Sequence, residues 1–331
     1  MTVNNVKKII ASGNRASGRL HIGHLKLLEY WAALQDEYEC FYFVADLHAL
    51  TTEYQDTRMV AEYSRDIFID WLSVGLDPEK SHLFVQSQIP AHSELYVIFS
   101  MFSNLGRLYR VPTYKERLRE DPTHSLVTLG FLGYPVLQAA DILLYRADAV
   151  PVGLDQASHL ELTREVARHF NRLYGEVFPL PKTILNKAPS LPGTDGRKMS
   201  KSYNNCIYIS DTPDVIRKKI GTMFSNPERK RRSDPGDAEK CNVYEFHKSF
   251  TDPATLSRIK GECADASIGC VECKRILTEN VIEALQGPQQ VRMRIEREPA
   301  YLDDVLRRGR EEATAAAEAT MRRVREAVGL W

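Results

Sequence analysis

The pattern of apolar and polar positions changes character near residue 210. Before it, short β-branched or aromatic runs alternate with stretches of helical spacing. Lys8–Ser12 (KIIAS) reads as a strand, followed by a helix over Gly23–Asp36. Phe41–Ala45 (FYFVA) is a strand before a helix over Asp56–Val74, and His82–Gln86 (HLFVQ) a strand before a helix-rich stretch to Leu108. Ala149–Gly153 (AVPVG) precedes a helix over Gln156–Tyr174, and Cys206–Ile209 (CIYI) reads as the last strand. Strands alternating with helices predict βαβ units and an α/β fold with a doubly wound, mostly parallel sheet. Such sheets bind ligands at the carboxyl ends of their strands.

Beyond residue 210 the spacing is helical, over Asp211–Phe224, Asp252–Glu262, Gly269–Leu285 and the Ala/Glu/Arg-rich Tyr301–Trp331. The chain therefore divides into a Rossmann-like domain, 1–209, and a C-terminal α-helical domain, 210–331. A length of 331 residues has room for both.

Charge narrows the partners. The 44 basic and 44 acidic residues cancel, so any nucleic-acid contact must come from a local patch. Arg229-Lys230-Arg231-Arg232, before Ser233-Asp234-Pro235-Gly236, is one candidate and reads equally as an exposed, solvated loop. No apolar run approaches the ~18 residues of a membrane span, and MTVNNVKK lacks the apolar stretch of a signal peptide. The expectation is a cytoplasmic protein with reduced cysteines.

Two segments carry chemistry. His21-Ile22-Gly23-His24 lies where a strand turns into a helix. Orphan N–H groups and the helix dipole favour anions there, and Gly23 lets a nucleotide approach the backbone. A metal site is the weaker reading, because no carboxylate or cysteine partner lies nearby in sequence. Gly196-Arg197-Lys198-Met199-Ser200-Lys201-Ser202 reads as a loop whose two ammonium groups close over a polyphosphate. Separately, Cys241, Cys263, Cys270 and Cys273 form C-x21-C-x6-C-x2-C. Four thiols in a reduced chain point to one metal centre, a zinc held by four cysteines or a [4Fe–4S] cluster.

Together, HIGH and KMSKS resemble the signatures of class I aminoacyl-tRNA synthetases. Phe43-Val44-Ala45-Asp46-Leu47-His48-Ala49-Leu50-Thr51, Phe131–Leu143 and Val150–Gln156 with His159–Arg164 are most similar to the tryptophanyl branch. The resemblance implies ATP with Mg²⁺, L-tryptophan and tRNA(Trp) as substrates, and a homodimer. It implies that Lys198, Lys201, His21 and His24 act at the phosphates. It places Gly13, Arg15, Gly23, Lys115, Gly153, Asp155, Met199 and Ser200 around ATP. It places Ala11, His48, Tyr134, Gln138, Asp141 and Gln156 around tryptophan. Tyr134, Gln138 and Asp141 recur at i, i+4 and i+7 and so share one helix face. Gln138 or Asp141 takes the indole N–H, while Tyr134 and Gln156 hold the α-amino group.

Tyrosyl enzymes share much of this pattern. They usually carry a tyrosine where Ala11 stands, which favours tryptophan here. Arg15 and Ala16 replace a commoner Gln-Pro, and Gln138 a commoner Met. A subgroup of tryptophanyl enzymes with nearly this cysteine spacing, its first interval one residue longer, implies a [4Fe–4S] cluster over structural zinc. The competing functions are a tyrosyl enzyme and a non-catalytic RNA-binding paralogue.

Overall fold

The computed structural model describes residues 7–120, 127–153, 156–185, 191–226 and 229–331. Its strands are β1 (Ile9–Arg15), β2 (Glu39–Ala45), β3 (Ser81–Val85), β4 (Ala149–Val152) and β5 (Lys182–Leu185), in the order β3-β2-β1-β4-β5. Every pairing is parallel. The order reverses beside β1, so the crevice beyond the carboxyl ends of β1 and β4 is where this architecture places a ligand.

Helices connect the strands: α1 (Leu25–Leu34), α2 (Asp46–Glu53), α3 (Val60–Val74), α4 (Ala91–Ser100), α5 (Leu105–Leu108), α6 (Pro112–Glu120), α7 (Leu129–Leu144) and α8 (Ala157–Tyr174). In α1, Leu25, Leu28, Trp31 and Leu34 recur every three residues and are all buried. Trp31 stacks on Tyr42 of β2 with ring centroids 4.7 Å apart, which fixes the turn just before α1 against the sheet.

Four helices follow the expected pattern beyond residue 210, and a fifth joins them: α9 (Pro213–Gly221), α10 (Asn242–Phe250), α11 (Pro253–Ala264), α12 (Cys270–Arg297) and α13 (Pro299–Val328). The expected 269–285 helix runs twelve residues further, to Arg297. The two long helices return to the sheet layer, α12 against α3 and α13 against β3 and α4. Gly309 of α13 lies so close to β3 that a Cβ there would sit 1.7 Å from the Leu83 carbonyl oxygen.

One expected strand is corrected. Cys206–Ile209 does not join the sheet; Tyr208 makes a lone antiparallel bridge to His21. The Ile22 amide donates to Ile207 O (2.9 Å), and the Ile209 amide to Leu20 O (3.1 Å). The fifth strand is instead Lys182–Leu185, whose exposed Lys182 and half-buried Thr183 break the apolar run that marks the others.

Candidate active site

The His21–His24 turn is a short 3-10 segment, Ile22–His24, leading into α1. The His21 amide donates to His24 Nδ1 at 3.2 Å, and the His24 amide donates to His21 O at 2.7 Å. The two rings lie 4.0 Å apart. Burial, then the neighbouring ring and Lys201, press His21 down to about 2, and burial followed by Lys201 presses His24 to about 4. Both imidazoles are therefore neutral near pH 7. They meet an anion as hydrogen-bond donors, not as charges. His21 Nδ1 is buried with no partner among the described residues, a polar atom left for something outside the chain.

The lysine loop is tied to buried Asn205. Asn205 Oδ1 accepts from the Ser200 amide (2.8 Å), while its Nδ2 donates to Lys198 O (3.1 Å) and Asp195 Oδ1 (2.7 Å). Met199 is buried in the core, so it anchors the loop instead of offering a side chain to ATP. Lys198 is exposed. Lys201 folds back over the segment before His21: a Cβ on Gly18, whose φ is +130°, would lie 2.7 Å from Lys201 Cδ and 2.9 Å from Nζ. Burial lowers Lys201 to about 8, against the opposing influence of Cys206. Two segments far apart in sequence thus meet at the carboxyl edge of β1.

Around them, Gly13 passes so close to β2 that a Cβ would stand 2.5 Å from Phe43 O. Arg15 at the end of β1 bonds Thr52 and Glu53. Gly153 follows β4 and accepts from the Gln156 amide at 3.1 Å. Lys115 is exposed on α6. Asp155 lies outside the described residues.

A second cluster stands on α7 and α8. Tyr134 OH donates to His159 Nε2 at 2.8 Å and pairs with Thr113; His159 Nδ1 donates to Gln156 Oε1 at 2.9 Å. His48 meets Tyr134 edge-on, with ring centroids 6.3 Å apart. Asp141, 1% exposed, receives His48 Nε2 (2.8 Å), His92 Nδ1 (2.7 Å) and Gln86 Nε2 (2.7 and 2.8 Å to its two oxygens). Burial alone would raise its pKa, but the bonds from His48 and His92 prevail and hold it at about 2. Gln138 is half-buried on the same face. Ala11 has no exposed surface and packs in the core with Phe41 and Phe43.

His92, Gln86 and His159 have no role in the sequence reading. Gln86 carries a faint signal, a polar residue closing a strand-like run at the edge where ligands bind. His92, just after Pro90 at a helix start, carries none.

Cys241, Cys263, Cys270 and Cys273 line one apolar cavity with Ile259, Ile268 and Arg229. Cys270 and Cys273 share a face of the first turn of α12. Burial pushes the Cys273 thiol up to about 12. Among the described residues, no group of three or more His, Cys, Asp or Glu is gathered as the ligand set of one metal ion. Within the basic run, Arg229 turns toward this cavity while Lys230, Arg231 and Arg232 are exposed.

Residues 4–286 match a family model described as tRNA synthetases class I (W and Y). The tryptophan–tRNA ligase of Thermotoga maritima is 51% identical over 324 residues, 97% of this chain and 99% of that protein. That of Aquifex aeolicus is 39% identical over 97% of this chain and 99% of its own length. Among solved structures, tryptophanyl-tRNA synthetase from Campylobacter jejuni, complexed with ADP and tryptophan, superposes with a TM-score of 0.87 at 32% identity, covering 97% of this chain and 100% of that one.

Proposed function

The chain belongs to the class I tRNA synthetases of the tryptophan and tyrosine group, and we propose on that premise how its side chains divide the work of a tryptophan–tRNA ligase. The enzyme joins L-tryptophan to tRNA(Trp) using ATP. In the first step a tryptophan carboxylate oxygen attacks the α-phosphorus, a new C–O–P bond forms, and the bond to pyrophosphate breaks. In the second, the terminal ribose hydroxyl of tRNA attacks the acyl carbon and AMP departs. Neither step demands a strong side-chain acid or base, so positioning and charge carry the rate.

His21 and His24 donate N–H groups to ATP oxygens, and Lys198 and Lys201 balance charge gathering on departing pyrophosphate. Mg²⁺ arrives with ATP as part of the substrate. Gly13, Gly23 and Gly153 lie beside the nucleotide, Gly13 packed against Phe43 and Gly23 against the His21 ring, with Arg15, Lys115, Asp155 and Ser200 at its rim. Tyr134 and Gln156 hold the α-amino group, and Asp141 receives the indole N–H beside His48 and Gln138. The observation that supports this division most is the meeting of Lys201 with the segment just before His21.

Residues 1–209 act on ATP and tryptophan and 210–331 read tRNA, with Lys230–Arg232 near its backbone. Val97 of α4, Leu105 of α5 and the flanking Met101 and Tyr109 are exposed, apolar surface suited to a homodimer. A cytoplasmic setting suits the six free cysteines. Cys241, Cys263, Cys270 and Cys273, which line one apolar cavity, would hold a [4Fe–4S] cluster, with zinc the alternative. When bound, that group supplies cross-links between α10, α11 and α12, not a reaction step.

Pyrophosphate exchange tests the reading. Tryptophan-dependent exchange, followed by charging of tRNA(Trp), is expected. Exchange with tyrosine alone makes the chain a tyrosyl enzyme, and no exchange makes it the non-catalytic paralogue.

A further inference from the structure

His92 is wholly buried, and both of its ring nitrogens are engaged. A charged carboxylate only accepts, so Nδ1 carries the hydrogen toward Asp141 Oδ1, 2.7 Å away. Nε2 pairs with the Tyr145 hydroxyl at 2.8 Å. Tyr145 is itself locked, stacked on Phe41 with ring centroids 4.5 Å apart. A line of two hydrogen bonds thus runs from the aromatic core to one oxygen of Asp141, with the ring orientation fixed. On the other side, Gln86 bridges both carboxylate oxygens, and its own Oε1 accepts from the Leu47 and His48 amides at 3.1 and 3.4 Å. His48 supplies the third donor group. A carboxylate offers about four acceptor sites, and these four contacts fill them, so a substrate N–H must displace one, the outermost being that of His48, whose side chain is 12% exposed.

We infer that His92 is a positioning residue for amino-acid selection, holding Asp141 in the one orientation in which the substrate's indole N–H takes the place of the His48 contact. The inference rests on the reading of Asp141 as the indole acceptor. A site built around a buried acceptor rejects an analogue lacking the matching donor, and the rejection weakens once the acceptor is free to turn.

The test compares kcat/KM in pyrophosphate exchange for tryptophan and for benzothienylalanine, which puts sulfur where indole has N–H. His92→Leu is expected to lower the preference for tryptophan about tenfold, the size of one charge-assisted hydrogen bond. The loss should fall on the KM for tryptophan and leave the analogue unchanged. His92→Asn, which restores a donor near the Nδ1 position, recovers most of the preference. Tyr145→Phe keeps the ring packing and is expected to lower the preference less, so it serves if His92→Leu does not fold. A purely structural role would slow both substrates alike, and that result overturns the inference. Asp141→Leu, which removes the acceptor altogether, separates the two levels. If it abolishes the preference while the His92 and Tyr145 variants retain it, only the role of His92 is overturned. If Asp141→Leu itself retains the preference, the reading of Asp141 fails and the inference with it.

Discussion

Arg292 of α12 places Nη1 2.7 Å from Oδ1 of Asp70 on α3, a carboxylate 1% exposed. Arg292 also reaches Asp66 (2.6 Å), which in turn receives Arg19 (3.1 Å), two residues before His21. One turn earlier on α12, Gln289 donates to Ile209 O and Asp211 O at 3.1 and 2.8 Å. A single face of α12 thus grips the segments that flank both signature motifs.

Removing the guanidinium leaves Asp70 buried without its counter-charge. Burial already pushes Asp70 up to about 7, against the pull of Arg292. Arg292→Leu is expected to cost about 3 kcal/mol at pH 8 and less at pH 5, where Asp70 takes up a proton. A carboxyl raised on folding contributes full stability below its unfolded pKa and loses it as pH climbs toward about 7. Asp70→Asn should flatten that decline between pH 4 and 7. Urea unfolding across this range measures both.

Lys201 offers a pH signature of catalysis. Depressed to about 8 by burial, its ammonium is present below that pH and lost above it. The kcat/KM for ATP in pyrophosphate exchange should therefore fall as pH rises through about 8. Lys201→Arg, charged throughout, should move that limb to higher pH, and Lys201→Met should show a low, flat profile. A native-like limb in the Met variant would assign the titration to another group.

Gly309→Ala forces a methyl group onto the Leu83 carbonyl. Both neighbours are backbone, so neither side can yield by turning a side chain. The expected cost is about 3 kcal/mol, read as a lower midpoint in thermal unfolding and faster proteolysis within α13.

The cysteine cavity predicts colour. Protein purified without oxygen should be brown, with broad absorbance at about 400 nm. Cys270→Ser and Cys273→Ser should each remove the band and the bound iron. Colourless native protein carrying about one zinc per chain assigns the zinc alternative on the same four thiolates.

The sheet was legible because β1 to β4 bury most of their residues and each carries a short apolar run. β5, at the far edge with Lys182 and Leu185 exposed, lacked that mark. The HIGH and KMSKS segments are local words and could be read directly. What joins them could not: Lys201 over Gly18, Tyr208 beside His21, and Gln289 on the backbone after the loop are contacts between distant residues, with no trace in periodicity. Asp141 stood out because it shares a helix face with Tyr134 and Gln138 in a stretch that resembles the tryptophanyl branch. His92 and Tyr145 behind it were missed, since a buried histidine satisfied by two partners looks, in one dimension, like any other polar residue at a helix start.

α13 has a consequence for synthesis. Its backbone lies against β3, the outer strand of the sheet, and unpaired outer strands invite pairing with other chains. A ribosome makes β3 long before it makes α13. The nascent chain therefore carries an uncovered strand through most of translation, and the sheet closes its exposed side only after Pro299–Val328 has emerged.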